Sequence, residues 1–169
     1  MIREAHARDV EEIKDVVEAA FLSADFTDNN EHNLYERLTK SKSFLKDLSL
    51  VYEENGKILG HILLTKINIG HHEALALAPL SVLPAYQRQG IGSKLIEAAH
   101  SEAKKLGYDA IVVLGHKSYY SKFGYEQADQ YEIYPPFEVP VESFMVKALK
   151  PNALKHIEGT VSYDESFFM

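Results

Sequence analysis

The part of the chain best suited to bind a ligand is the polar segment from Gln87 to Gly92, which reads Gln-Arg-Gln-Gly-Ile-Gly. An apolar, strand-like run from Leu75 to Leu83 precedes this loop, and a helical pattern begins at its second glycine. The two glycines allow a tight turn, so the unpaired N–H groups of the first helical turn point toward one position. Because the positive end of the helix dipole lies behind them, the loop favours an anion, most often a phosphate or pyrophosphate. The alternative is an ordinary strand-to-helix turn.

Spacing excludes two common phosphate-binding loops. A dinucleotide fingerprint requires a third glycine at the position where this chain has Leu95. A P-loop requires Gly-Lys-Ser/Thr at the end of a longer loop, whereas the order here is Gly92-Ser93-Lys94.

The segment from Leu80 to Gly92 resembles the Gln/Arg-x-x-Gly-x-Gly/Ala loop of the GNAT superfamily of acyl-CoA-dependent N-acetyltransferases. The first glutamine and both glycines of the loop occupy its three fixed positions. The segment from Leu114 to Tyr125, a Pro-rich insertion and the ending from Gly159 to Tyr163 are similar to the YhbS-like branch. The resemblance therefore covers nearly the whole chain.

This resemblance implies acetyl-CoA as the co-substrate. Its pyrophosphate would lie on the backbone amides of the loop, and its pantetheine arm would pair with the backbone of the preceding strand. The residues expected to bind it are Leu80, Ser81, Val82, Gln87, Arg88, Gln89, Gly90, Ile91, Gly92 and Ser93.

The resemblance also implies a catalytic tyrosine. GNAT enzymes commonly have a tyrosine four residues before a Gly-aromatic pair, and Tyr120 has this position relative to Gly124. Aminolysis of a thioester expels a thiolate, which a phenol O–H can hydrogen-bond or protonate. An ordinary tyrosine pKa of about 10 keeps that proton in place at neutral pH. The alternative is that Tyr119 and Tyr120 are both packing aromatics, the role we expect for Tyr119.

The sequence does not identify the general base that would take a proton from the acceptor amine. Several relatives have Glu or His on the strand before the loop, but this chain has Ala76 at that position. Glu73, slightly upstream, and His116, near Tyr120, are the candidates, and His116 has a suitable ordinary pKa. A chain of waters leading to a more distant carboxylate is equally compatible with the sequence.

The implied function is transfer of an acetyl group from acetyl-CoA directly to a primary amine of a small molecule or peptide. A non-catalytic acyl-CoA sensor or regulatory module is the alternative, which the missing base at Ala76 favours. Binding of another phosphate ligand is a third possibility. Nothing in the sequence specifies the acceptor, and relatives commonly pair through C-terminal strands, which would give a homodimer.

Composition limits the possible partners. The 169 residues fit a single domain, 1–169, and 18 basic against 25 acidic residues give a net charge of −7. This balance argues against nucleic acid and anionic membranes and favours a neutral or cationic small substrate. The absence of Cys excludes disulfides, thiolate metal sites and a Cys nucleophile. No signal-like N-terminus and no apolar run of about 20 residues is present, so we expect a cytoplasmic protein.

Hydrophobic periodicity predicts the N-terminal elements. Met1 to Ala5 has the pattern of a short strand, and apolar residues recur at helical spacing from about Ala7 to Leu22. A polar break from Ser23 to Asn30 follows, in which Asn29 or Asn30 can cap a second helix that ends at about Lys40.

The Asn55-Gly56 pair between two apolar runs predicts a β-hairpin, because a type I′ turn requires positive φ at both positions. His61 lies within the second strand, where we expect a buried histidine with a hydrogen-bond partner. His71 and His72 are adjacent, so on a strand they face opposite ways and cannot hold one ion together. We expect a surface turn there rather than a zinc site.

In the strand before the loop, the apolar residues shift from odd-numbered to even-numbered positions. Leu75 and Leu77 define an odd-numbered face, whereas Leu80 and Val82 continue it on even numbers. Such a change requires an inserted residue, which predicts a β-bulge at Ala78-Pro79 and a parting from the neighbouring strand just before the loop. The alternative is that Pro79 simply ends the strand.

The second half of the chain completes a βαβ unit. A helix after the loop is closed by Gly107, and Ala110 to Leu114 has the pattern of a strand buried on both faces. A short helix from Ser118 to Phe123, then another strand, an irregular Pro-rich stretch and a last strand from Ser143 to Leu149 follow. The predicted fold is α/β (α+β) of GNAT type, with a splayed, mostly antiparallel central sheet and helices on both faces.

Overall fold

A single mixed sheet organises the computed structural model, which describes residues 1–22 and 27–168. Its nine strands are β1 (Ile2–Glu4), β2 (Phe44–Glu54), β3 (Lys57–Ile69), β4 (His72–Val82), β5 (Ala110–Leu114), β6 (Glu126–Gln127), β7 (Ile133–Tyr134), β8 (Phe144–Ala148) and β9 (Gly159–Ser162). The helices are α1 (Val10–Phe21), α2 (Glu31–Thr39), α3 (Ile91–Lys105) and α4 (Lys117–Tyr120). The main strand order is β1-β2-β3-β4-β5-β8-β6, and along it only β4 and β5 are parallel. The predicted mostly antiparallel sheet is confirmed.

Helices cover both faces of the sheet, as predicted. On one face α3 packs through Leu95 and Ile96 against a cluster that includes Ile62 of β3. On the opposite face, α1 and α2 pack through residues such as Val17 and Leu38. Within the described ranges, no helix combines the length and apolar character needed to cross a membrane.

The hairpin prediction is confirmed. Asn55 and Gly56 have φ values of 52° and 77°, so both residues adopt the left-handed conformation that the turn requires. His61 is fully buried, and its Nε2 lies 3.0 Å from Oγ of Ser49. His71 is exposed in the turn between β3 and β4, as expected.

The predicted bulge is also confirmed. Ile62 of β3 pairs with Leu80, but Leu64 pairs with Leu77, so β4 contains one additional residue at Ala78-Pro79. The side chains on both sides of the bulge consequently pack on the α3 face of the sheet. The peptide bond between Ala78 and Pro79 is cis.

Beyond the bulge, β4 leaves β5. The two strands pair only where Leu75–Leu77 faces Ile111–Val113, whereas β4 continues along β3 as far as Val82. A wedge-shaped gap therefore opens between the C-terminal ends of two parallel strands, directly before the Gln87–Gly92 loop.

The C-terminal region departs from the prediction. The strand expected at residues 143–149 is present as β8, but it is not the last strand. The Pro-rich tail contributes β7, and β9 pairs in parallel with β7 and antiparallel with the end of β3. These strands are too short to show a period of two, so their formation depends on long-range partners.

The segment before α2 was predicted to be a polar break that ends in a helix cap. Asn30 directly precedes α2, at the predicted cap position, although its side chain makes no capping hydrogen bond. The predicted polar break lies partly outside the described residues, since positions 23–26 fall there.

Candidate active site

The loop between β4 and α3 has the conformation expected of an anion site. Gly90 precedes the first residue of α3 with φ of 85°, and Arg88 also has positive φ, at 65°. Residues Gln87 to Gly90 are exposed, and the Gln87 side chain donates a hydrogen bond from Nε2 to the Val82 carbonyl oxygen, at 3.1 Å. The loop is thus tied to β4 while its backbone remains accessible at the positive end of a 15-residue helix.

Gly92 lies in close contact with Tyr119, the neighbour of the predicted catalytic residue Tyr120. A Cβ at this position would lie 2.8 Å from the Tyr119 hydroxyl oxygen. That hydroxyl lies near the Ser93 side chain, and burial raises the pKa of Tyr119. Tyr119 therefore does more than the packing role expected of it, because its polar end lies at the first turn of α3.

The open edge of β4 offers backbone groups to an added strand. Leu83 N–H donates to the Leu59 carbonyl at 2.9 Å, and in an antiparallel ladder such bonded pairs alternate with unbonded ones. Ser81 therefore directs its backbone groups toward β3, whereas Leu80 and Val82 direct theirs into the gap. The expectation that all three residues offer backbone groups to a ligand is corrected for Ser81.

Tyr120 lies at the end of α4 with its ring held by neighbouring aromatics. The ring centroids of Tyr119 and Tyr125 lie 5.0 Å and 5.6 Å from that of Tyr120, both in edge-on arrangements. Gly115 leaves room for this ring, since a Cβ there would lie 2.5 Å from Cε2 of Tyr120. Burial raises the pKa of Tyr120 above its ordinary value, so its hydroxyl keeps its proton at neutral pH.

One cleft of about 1110 Å³ occupies the gap between β4 and β5. It brings together most of the predicted functional elements: Ala78 to Leu80 on the strand, Gln87 and Arg88 on the loop, and His116, Tyr119 and Tyr120 after β5. Ala76 also lines it, opposite Val112, so the position where relatives have a base carries no titratable group here.

The structure does not bring Glu73 into this group. Glu73 is exposed at the start of β4, where it pairs with Asn68 and lies near Tyr108, at the end of the strand away from the gap. Its neighbour His72 lies 3.3 Å from Asp109. His116, by contrast, precedes α4 and lines the cleft beside Tyr120.

The residues on the side of the cleft that faces away from the loop were not predicted from the sequence. Residues from distant parts of the chain meet there: Thr27, Asp28, Glu31 and Leu34 around α2, and Phe137, Tyr163 and Phe167 from the tail. The resemblance implies that the helices before the hairpin lie over the substrate side, and the tail is rich in aromatic residues, but neither segment carries a recognisable motif.

The splayed sheet, the loop at the start of α3 and the shared cleft define an acetyltransferase of the GNAT class. A model of the GNAT acetyltransferase domain matches residues 46–127. YjhQ of Escherichia coli K12, an uncharacterized N-acetyltransferase, is 32% identical over 142 residues, which cover 81% of this chain and 77% of that protein. The chain belongs to the GNAT family of N-acetyltransferases.

Two crystal structures show the likeness over almost the full length. The E. coli GNAT family N-acetyltransferase YhbS, in complex with CoA, superposes with a TM-score of 0.91 at 26% identity, covering 100% of this chain and 92% of that one. A GNAT family acetyltransferase from Brucella melitensis, in complex with acetyl-CoA, gives 0.82 at 33% identity, covering 99% and 97%.

Proposed function

We propose that this protein transfers the acetyl group of acetyl-CoA to a primary amine. The complexes of the two structural relatives with CoA and acetyl-CoA support this choice of co-substrate. The residues present here fit the same ligand. The exposed loop before α3 suits the pyrophosphate, and the outward-facing backbone of Leu80 and Val82 suits the amide groups of a pantetheine arm.

The chemistry is a direct aminolysis. The lone pair of the amine attacks the thioester carbonyl carbon, a C–N bond forms, and the C–S bond breaks to release CoA thiolate. Tyr120 donates its phenolic proton to that sulfur or hydrogen-bonds it as charge develops. Its raised pKa supports this role, because the proton is present on the hydroxyl throughout the neutral range.

The nitrogen must also lose a proton. Glu73 lies too far along β4 to take it, and Ala76 cannot. We therefore propose His116, which lines the cleft with Tyr120, as the acceptor of this proton, directly or through water. His116→Gln is expected to lower kcat at neutral pH and to lose less activity at high pH, where more free amine is present.

The observation that carries the proposal is the single cleft shared by the loop, the open edge of β4 and Tyr120. Calorimetric titration with acetyl-CoA, with ATP as the control ligand, tests the proposed binding of the co-substrate. Selective binding of acetyl-CoA is expected, and absence of binding would remove the basis of the assignment. Release of free CoA thiol in the presence of amines tests the proposed acetyl transfer.

An acyl-CoA sensor without turnover is the second candidate, and the apolar residue Ala76 at the base position favours it. Tyr120→Phe separates the two functions. An enzyme loses about 100-fold in kcat while it keeps its affinity for acetyl-CoA. A sensor releases no thiol in either form and binds acetyl-CoA equally well in both.

A further inference from the structure

The cleft has two chemically different halves, one on each face of the sheet. The loop residues lie near the start of α3, and Tyr119 and Tyr120 pack on the same face as that helix. Ala76 and Val112, which are neighbours on β4 and β5, point to the opposite face, where α1 packs near β4 and α2 packs against α1. Acetyl-CoA, bound as proposed, uses the first half. The acceptor therefore approaches through the second, which we call the acceptor half.

An aromatic wall lines the acceptor half. The rings of Phe137 and Tyr163 are stacked, with centroids 5.7 Å apart and planes at 29°. Phe167 meets Tyr163 at 4.8 Å and 60°. All three line the cleft. Faces of aromatic rings attract cations such as the ammonium group of a lysine side chain, so these rings favour an alkylammonium group in the acceptor half.

Two carboxylates, Asp28 and Glu31, line the same half. Glu31 accepts a hydrogen bond from the Thr27 hydroxyl at 2.7 Å, and Asp28 accepts one from the Asn30 N–H at 2.8 Å. Within residues 1–22 and 27–168, the other oxygen of each carboxylate makes no hydrogen bond. Among the described lining residues Arg88 is the only Lys or Arg, and it belongs to the loop. The acceptor half thus carries negative charge beside aromatic faces.

An ammonium held by these groups cannot be the nitrogen that reacts. A nearby carboxylate raises the pKa of an ammonium, and a protonated nitrogen has no lone pair with which to attack. The reacting amine must be a different nitrogen, located toward Tyr120 and away from the carboxylates. The walls between these two points are apolar, with Ala76, Val112 and Leu34 among them.

We infer that the acceptor is a diamine or longer polyamine. One ammonium is bound by Asp28, Glu31 and the aromatic wall, an alkyl chain crosses the apolar floor, and a second, neutral amine is presented to the thioester near Tyr120. This inference rests on the proposed function and specifies its substrate class.

The test compares acceptors that differ only at the distal end. Thiol release from acetyl-CoA is measured with alkanediamines of increasing chain length, with n-alkylamines of matched length, and with ω-amino carboxylates of matched length. We expect kcat/KM for the best diamine to exceed that of its matched monoamine by about tenfold or more, with the amino carboxylates poorest. Equal use of all three series, or preference for monoamines or amino carboxylates, would overturn the inference.

Glu31→Gln assigns the preference to this site. The diamine-to-monoamine ratio of kcat/KM is expected to fall by about threefold to tenfold in this variant. Glu97→Gln is the matched control, because it removes the same charge from an exposed position on α3, on the other face of the sheet. An equal change in both variants would show a general charge effect and would contradict the site.

Calorimetry distinguishes failure of this inference from failure of the proposed function. If acetyl-CoA does not bind, the proposed function itself fails. If acetyl-CoA binds but diamines are neither acetylated nor bound by the CoA-saturated protein more tightly than monoamines, only the acceptor class is wrong. Direct titration of the CoA complex with each amine series supplies this second measurement.

Discussion

The Tyr119 hydroxyl oxygen lies 2.8 Å from the point at which a side chain would begin on Gly92. The two residues belong to different segments of the site: Gly92 lies in the first turn of α3, and Tyr119 lies on α4, which also carries Tyr120. Tyr119 also contacts Tyr120, since the two rings meet edge-on with centroids 5.0 Å apart. Tyr119 therefore touches both the anion loop and the proposed acid.

This contact predicts a compensating pair of substitutions. Gly92→Ala is expected to weaken binding of acetyl-CoA by about tenfold, because the new methyl group displaces either the loop or the tyrosine. Adding Tyr119→Phe removes the obstructing oxygen and is expected to restore part of the affinity. Calorimetry on the original protein, the two single variants and the double variant measures how far the two substitutions depend on each other. Strictly additive effects on the affinity for acetyl-CoA would contradict the predicted compensation.

Gly115→Ala is expected to act on turnover rather than on binding. The added methyl group would lie within 2.5 Å of the Tyr120 ring, which must then move away from the cleft. We expect kcat to fall by at least about tenfold, with KM for acetyl-CoA within about twofold of the original. Lys117→Ala is the control, because Lys117 is exposed on α4, the helix that carries Tyr120. It should leave both kcat and KM unchanged.

Two buried histidines make stability sensitive to acid. Burial lowers the pKa of His61 to about 3 and that of His100, near Lys147, to about 4, from an ordinary value of 6.5. Between those values and 6.5 the unfolded chain binds more protons than the folded one. The free energy of unfolding therefore falls as the pH drops below about 6.5, by up to about 1.4 kcal/mol per pH unit for each histidine.

Urea unfolding at a series of pH values tests this dependence. His100→Gln should reduce the slope of stability against pH below 6.5, whereas His71→Gln, at an exposed position, should not. A slope that is the same in both variants would show that His100 does not contribute to the acid sensitivity.

Two serines face the same buried histidine, and their replacement by Ala is expected to have different effects on the free energy of unfolding. Ser49 lies 3.0 Å from Nε2 of His61, and its replacement by Ala should lower the free energy of unfolding by about 1–3 kcal/mol. Ser81, which pairs with His61 from β4, has a buried hydroxyl without a hydrogen-bond partner among the described residues.

Ser81→Ala is therefore expected to leave stability unchanged or to raise it by about 1 kcal/mol, because it removes an unsatisfied polar group. Thermal and urea unfolding of the two single variants provide the comparison. A loss in Ser81→Ala as large as that in Ser49→Ala would indicate a hydrogen bond to a buried water.

Much of the fold was predictable because its signals are local. Asn55-Gly56 specifies its own turn, and the parity change between Leu77 and Leu80 requires a bulge whatever the strand pairs with. The two glycines of the loop likewise encode the turn into α3. These features depend on backbone conformation within a few residues, which neighbouring side chains largely determine.

The tertiary structure decided which distant residues share the site. Sequence distance gave Glu73 and His116 equal standing as candidate bases, but β4 carries Glu73 away from the gap while β5 ends beside Tyr120. The backbone direction of Ser81 followed from the register with β3, and the acceptor half required α2 and the tail to meet across the sheet. Such long-range packing has no local pattern, since each segment contributes only a few ordinary residues to a surface that exists only once the sheet has formed.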